Sequence, residues 1–397
     1  MNTNKVSAEV EPSIDWVERT RALAPRIAEA SDRTEREGKV PQDVMTAMHA
    51  AQLFRASLPG SMGGGEASAL ELTQMCEIVA SADASTAWCL GQALGCCWSA
   101  AYTAPEIARE MFGPANAVLA WGPPDPKSKA IKVDGGYRVT GEWRFGSGSR
   151  NATWVGGHSM VYEDETTRAV DAKGRPVMRT MLMPIDSVRR IDVWQVIGLR
   201  GTGSDNYAVD NLFVPEAYTT WRDSQPDRTE FGPLYSIPLL TVYGMMFSGL
   251  ALGIARSALN DFIDLAKVKG PPGGPMLRDN AVIQAGVATA NAQILSSRIF
   301  LHETISEHWD VLSAAETPSL ELRARLRLAI TYAMNQAREA VNFAFQAAGT
   351  NAIFEANPFE RRMRDIHAVS AQGQSHISNY EPVGQVFLGL EPEGHRV

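Results

Sequence analysis

The sequence predicts an α+β fold, mostly α, in three consecutive regions. These are an N-terminal α-helical domain (residues 1–115), a middle β domain (116–222) and a C-terminal helical bundle (223–397). Three observations predict it. Apolar residues recur at spacings of three and four from Ile14 to about Phe112, apolar/polar alternation takes over near Val118, and long helical patterns return after Pro233.

In the first region WVERTRALAPRIAEASDR and PQDVMTAMHAAQLF have the helical spacing, and ALELTQMCEIVASADASTAWCLGQALGCCWSAAY reads as a longer, more apolar helix. The glycine-rich LPGSMGGGEAS between them follows no β-strand, which argues against a phosphate cradle. In the second, AIKVDGGYRVTGEWRF alternates on both sides of Asp134-Gly135-Gly136 and predicts a hairpin. TWVGGHSMVY, VMRTMLMPI, RRIDVWQVI and YAVDNLFVP extend the strand pattern to Pro215. In the third, three long helical stretches and a shorter one after Pro358 predict a bundle, with the Pro- and Gly-rich KGPPGGPML joining the first two.

Composition narrows the function. Of 397 residues 45% are apolar and 21% charged, an ordinary globular balance. The 37 basic and 45 acidic residues give a net charge of -8 without long blocks of one sign, so nucleic acid is not an expected partner. Cys76, Cys89, Cys96 and Cys97 lack the spacing of a zinc site or a disulfide framework; no metal is expected, and reduced thiols in a cytoplasmic protein are. The polar N-terminus MNTNKVSAEVEPSIDW has no apolar signal core, and no uninterrupted apolar stretch has the length of a membrane span.

The chemistry-bearing segments lie at the joints. In GEWRFGSGSRNATWVGG, alternation puts Trp143, Phe145 and Ser147 on one face, a flat ring beside a hydroxyl that could meet a planar cofactor; a plain strand end facing the bundle reads equally well. The segment resembles the strand of acyl-CoA dehydrogenases in which an aromatic residue lies against the flavin and a hydroxyl residue bonds its N5. It is still more similar to the form in oxygenase components of two-component flavin monooxygenases, the 4-hydroxyphenylacetate and dibenzothiophene types. The resemblance implies that Phe145 takes the stacking position and Ser147 the N5 position. IGLRGTGSDNYAVDNLFVPE resembles the end of the β domain in that branch, and Trp121 and Gly122 of LAWGPPDP occupy the place of the dehydrogenase flavin loop.

QAAGTNAIFEANPFERRMRD lines up with the dehydrogenase pattern that leads from a Gln-x-x-Gly turn to the catalytic glutamate. Gln346, Gly349, Pro358, Arg364 and Asp365 match, and the base position falls on Ala356. Glu355 is one residue off, which misplaces a proton transfer, and reads as a surface carboxylate. Glu360, Arg361 and Arg362 read as a solvated face, and Arg364 with Asp365 as an ion pair. His367 completes the Arg-Asp-x-His pattern of the monooxygenase branch, where the histidine faces substrate, and imidazole can accept a phenol proton near neutral pH. Relatives carry a second histidine after an Ala-Trp pair; ASTAWCLGQALGCCW offers Cys96 and Trp98 instead, so Gln92, Cys96, Trp98 and His367 are the candidate substrate-pocket residues. The adenylate-gripping segment of dehydrogenases is missing from AKVKGPPGGPMLRDN, which favours reduced FMN over FAD, with FAD possible.

The resemblance thus implies an oxygenase component that receives reduced flavin from a separate reductase and, through a C4a-hydroperoxide formed with O2, hydroxylates a small aromatic or heteroaromatic substrate. Catalysis would rest on His367 and Ser147, with Trp121, Gly122, Phe145, Ser147, Gln346 and Gly349 toward the flavin. The family's habit implies a homotetramer. An acyl-CoA dehydrogenase or oxidase, and an N- or S-oxygenase of the same fold, are the alternatives.

Overall fold

Side-chain caps set where three of the N-terminal helices start. Asp15 accepts the Glu18 N–H and opens α1 (Trp16–Glu29). Ser68 and Glu71 exchange hydrogen bonds as a capping box at the head of α4 (Ala69–Ala82). Between them lie α2 (Ser31–Glu37) and α3 (Gln42–Ala50). The apolar stretch predicted as one helix from Ala69 is two, because Asp83 leaves the helix (φ -152, ψ 121) and its carboxylate caps α5 (Ala84–Cys97) at the Thr86 N–H. α6 (Pro105–Phe112) ends the region. The computed structural model describes residues 14–221, 227–270 and 273–392; the polar N-terminal segment before Ile14 and Pro271 and Pro272 of the bundle connector lie outside them.

The middle region is one mixed sheet of eight strands: β1 (Leu119–Trp121), β2 (Lys129–Val133), β3 (Gly136–Gly146), β4 (Trp154–Tyr162), β5 (Met178–Pro184), β6 (Arg189–Ile191), β7 (Asp205–Pro215) and β8 (Thr219–Thr220). Their order is β6-β7-β3-β2-β4-β5-β8, with β1 parallel to β4 off that path. The Asp134-Gly135-Gly136 turn forms as expected, with Gly135 at φ 75. The strand predicted to run from Arg189 to Ile197 stops at Ile191. Beyond it Trp194 donates its indole N–H to the Leu199 carbonyl (3.0 Å), and the chain leaves the sheet to dock on the bundle.

The bundle consists of α7 (Leu239–Val268), α8 (Ala281–Ser313), α9 (Leu320–Ala348), α10 (Pro358–Val369) and α11 (Tyr380–Phe387). α7 is its axis. By length and composition it could cross a membrane, but 83% of its most apolar window is buried inside the protein. Two glycines one turn apart bring it into backbone contact with α4: a Cβ at Gly249 would lie 2.4 Å from the Thr73 carbonyl, and one at Gly253 2.1 Å from that of Glu77. One turn earlier the relation reverses. Tyr243 and Phe247 of α7 lie across Gly95 and Gly91 of α5, where a Cβ would sit 2.2 Å and 3.2 Å from the rings.

Gly253→Ala should therefore force α4 and α7 apart and lower the free energy of unfolding by about 1–3 kcal/mol, measured by urea denaturation. Gly384→Ala in α11, where a Cβ meets nothing within 4 Å, should leave stability unchanged or raised.

Candidate active site

The end of β3 departs from the expected alternation. Its pairing with β7 slips between Trp143 and Gly146, and Phe145 sits in the left-handed region at φ 58, a strained conformation for an aromatic residue. Trp143, Phe145 and Ser147 therefore do not share one face. Trp143 is fully buried, stacked at 5.6 Å on Tyr207 and bonded through its N–H to the His158 carbonyl (2.9 Å). Phe145 is turned out, 52% exposed, and meets the Trp194 ring edge-on at 6.1 Å. Ser147 is turned in and only 5% exposed.

What reaches Ser147 is Trp88 of α5, which sequence reasoning missed. Its indole N–H donates to Ser147 Oγ at 3.0 Å, and its ring lies flat on Phe247 (4.0 Å, 3°), which stacks in turn on Tyr243 (5.6 Å, 14°). The signal in the sequence is the Ala87-Trp88 pair itself. On its other side Ser147 Oγ lies 2.7 Å from Ser204 Oγ, which lies 2.7 Å from Thr202 Oγ1; Thr202 donates to the Leu199 carbonyl (2.8 Å).

The other residues proposed from sequence divide. Gln92, one turn beyond Trp88 on α5, is half-buried. Cys96 is fully buried with its Sγ 3.6 Å from the Tyr243 hydroxyl. Trp98 is buried against Tyr102 and Tyr235, its N–H on the Leu234 carbonyl, a core position. Gly122 lies against the β3 bulge so closely that a Cβ would be 1.7 Å from the Arg144 carbonyl, while Trp121 is buried beside Gly156 and His158. The four cysteines are buried and form no disulfide with one another, and burial pushes the Cys76 thiol up to about 12.

The segment from Gly198 to Ser204 joins this cluster to the bundle. Gly198 abuts the α10 backbone, where a Cβ would lie 2.1 Å from the Arg364 carbonyl, and the Leu199 N–H donates to Asp365 (2.6 Å). Arg364 and Asp365 are thus not paired with each other. Arg364 binds Glu35, Glu360 and the Ile197 carbonyl. Arg361 and Arg362 are not a solvated face either: Arg361 pairs with Asp32 and Glu35 of α2, and Arg362 with Asp261 of α7. Asp365 and Asp83 line one cavity of about 60 Å³ with Arg361 and Arg362. Burial, reinforced by the Asp83 carboxyl and opposed by the Leu199 N–H, pushes Asp365 up to about 7.

His367 lies on the outer side of α10, exposed on the single chain, with Nε2 2.9 Å from Asn342 Oδ1 of α9. With the amide oxygen accepting, Nε2 carries the proton and Nδ1 is an acceptor. Gln346, one turn beyond Asn342, is exposed, and Gly349 adopts φ 60, ψ -136, open only to glycine. Glu355 is exposed on the turn before Pro358. The candidates therefore form two groups: Ser147, Phe145 and Gly122 at the strand end, and His367, Gln346 and Gly349 at the α9–α10 corner.

Residues 16–115 match the family description "Acyl-CoA dehydrogenase, N-terminal domain", and residues 245–377 match "Acyl-CoA dehydrogenase, C-terminal domain". The chain belongs to the acyl-CoA dehydrogenase family. It is 29% identical over 359 residues to an indole-3-acetate monooxygenase of Pseudomonas putida, covering 90% of each chain. It is 28% identical over 409 residues to the oxygenase component of an FADH(2)-dependent resorcinol hydroxylase of Rhizobium sp., covering 98% of this chain and 97% of the other. The crystal structure of 3-HSA hydroxylase from Rhodococcus sp. RHA1 superposes with a TM-score of 0.85 at 26% identity, covering 97% of this chain and all of that one. The fold is thus shared along nearly the whole length with the 3-HSA hydroxylase, and its two helical regions match the acyl-CoA dehydrogenase domains.

In this family member Asp365 should leave a mark on stability. Its ordinary value of 3.8 is raised in the folded chain, so between about pH 4 and pH 7 the unfolded state loses the proton while the folded state keeps it. Stability should fall as pH rises through that window, by at most about 1.4 kcal/mol per pH unit from this group, and level off above it. Asp365→Asn keeps an oxygen for the Leu199 N–H, and its thermal-unfolding profile should lack that slope.

Proposed function

We propose that this chain is the oxygenase component of a two-component flavin-dependent monooxygenase, which takes reduced FMN or FAD from a separate reductase and uses O2 to hydroxylate a small aromatic or heteroaromatic substrate. The observation that carries the reading is the buried Ser147 hydroxyl, with a lone pair still open, beside the Trp88–Phe247 stack at the end of a strained strand. The dehydrogenase alternative is disfavoured by Ala356 at the base position and by the exposure of Glu355.

The residues present suit a flavin. The open lone pair of Ser147 is an acceptor for a ring N–H, the out-turned Phe145 offers an apolar face, and Gly122 keeps the bulge free of a side chain. Bound there, reduced flavin supplies the two electrons with which O2 yields one oxygen atom to the substrate and one to water. The chain's part is to hold N5 at Ser147, to exclude water with Trp88 and Phe247, and to move a proton. His367 Nδ1 would accept it from a phenol or an indole while Asn342 steadies the ring at Nε2. Gln92 lies on the Trp88 side of α5, where an aromatic substrate would pass.

Gln346 and Gly349 are exposed at the α9–α10 corner, where a second copy of the chain could carry its flavin to them. A homotetramer is supported by α8. Val282, Ala285, Ala288, Ala292, Leu295 and Ile299 form an exposed apolar stripe at helical spacing, with Ile299 61% exposed. The four unoxidised thiols suit the cytoplasm, where a reductase would deliver the flavin.

With reduced FMN or FAD and a panel of phenols and indole, His367→Ala should lower hydroxylation by roughly 10²-fold while O2 is still consumed to H2O2, and Ser147→Ala should raise the H2O2 share. Unchanged coupling in both variants would sink the assignment of roles, as would NADH-dependent hydroxylation by the purified chain alone. Light scattering should give four times the chain mass, and Ile299→Glu should reduce it; a monomer in the unsubstituted protein overturns the tetramer.

A further inference from the structure

The hydroxyl chain beside Ser147 has a direction, and the direction follows from proton counting. The Leu199 carbonyl has no proton, so Thr202 Oγ1 must donate to it across 2.8 Å. Thr202 has then used its only proton, and across the 2.7 Å to Ser204 it can only accept. Ser204 is used up in the same way, so Ser147 donates to it across 2.7 Å. From the other side Trp88 Nε1–H, a donor and nothing else, points at Ser147 Oγ. Ser147 is left with one open lone pair and no free proton.

Neither end of this chain can easily reverse. Thr202 and Ser204 are each 1% exposed, which denies them water as a substitute partner. Leu199 is held at φ 54 by its N–H bond to Asp365, and its carbonyl also receives the Trp194 indole N–H and the Thr202 backbone N–H, so it acts only as an acceptor. The terminal acceptor is therefore built into the joint between the β domain and α10.

We infer that Ser204 and Thr202 are positioning residues that keep Ser147 a hydrogen-bond acceptor, so that the site selects reduced flavin, whose N5 carries a proton, over oxidised flavin, whose N5 is itself an acceptor. This rests on the placement of flavin N5 at Ser147 proposed above. Oxidised flavin would bring two acceptors together in a buried place, and the unmade bond is expected to weaken its binding roughly tenfold or more relative to reduced flavin. Breaking the relay frees the Ser147 proton to turn toward N5, which should improve oxidised binding and leave reduced binding nearly as it was.

The test is the ratio of two affinities on the full chain: oxidised FMN by fluorescence quenching and reduced FMN by anaerobic equilibrium dialysis, with FAD in parallel. The unsubstituted protein should bind reduced flavin more tightly. Thr202→Val and Ser204→Ala should each narrow the ratio roughly tenfold, equivalent to about 30 mV in the two-electron potential of the bound flavin, and Thr202→Ser should restore it. Both affinities are read on the same folded fraction, so partial misfolding cancels. If Ser147→Ala changes neither affinity, the placement at N5 fails and takes the inference with it. If Ser147→Ala narrows the ratio and neither relay variant does, the placement survives and the inference is overturned.

Discussion

The backbone contact between α7 and its two N-terminal neighbours is the constraint on which the rest of the molecule hangs. Gly249 and Gly253 let α7 lie directly on the α4 carbonyls of Thr73 and Glu77, and Gly91 and Gly95 of α5 leave room for Phe247 and Tyr243 to lie flat. Because α7 is at once the axis of the bundle and the floor under α5, the two helical regions share one core rather than packing as separate domains. That sets the height of Phe247, and Phe247 sets the plane of Trp88 at 3° to its own. The indole N–H then has one direction in which to point, which is toward the end of β3.

The strand end meets it because it is irregular. A regular continuation of β3 would have put Phe145 on the same side as Trp143, in the β core. The slip in pairing with β7 and the positive φ at Phe145 turn that ring outward and Ser147 inward, at a local strain of about 1–3 kcal/mol that the surrounding sheet holds in place. The segment from Gly198 to Ser204 closes the arrangement from the third side. It is pinned to α10 by Asp365, to α2 by the Arg200–Glu35 pair, and to α5 by the Ser85 hydroxyl accepting the Gly201 N–H. A buried carboxyl is an expensive anchor, and its raised titration range records that cost.

Much of this was legible residue by residue. The change of period near Val118, the Asp-Gly-Gly hairpin and the three long helices follow from local spacing and turn chemistry, which act over a few residues and are written in order along the chain. The weak readings were those that needed a partner from elsewhere. Alternation could not anticipate the bulge, because its cause is the register of β7, sixty residues on. Arg361, Arg362 and Arg364 looked solvated or paired with their neighbour, because Glu35, Asp32 and Asp261 come from α2 and α7.

Sequence alone determined the order of helical, β and helical regions, the kinship it implies, and the loss of the dehydrogenase base at Ala356, since each depends on residue identity and spacing. Only the tertiary structure decided that Trp88 is the donor to Ser147, that Trp98 belongs to the core, and that three hydroxyls run in one direction to the Leu199 carbonyl. The physical reason is that hydrogen-bond polarity is a property of a closed set of donors and acceptors. Here the set is drawn from α5, the end of β3 and the segment that docks on α10, and no stretch of sequence contains it.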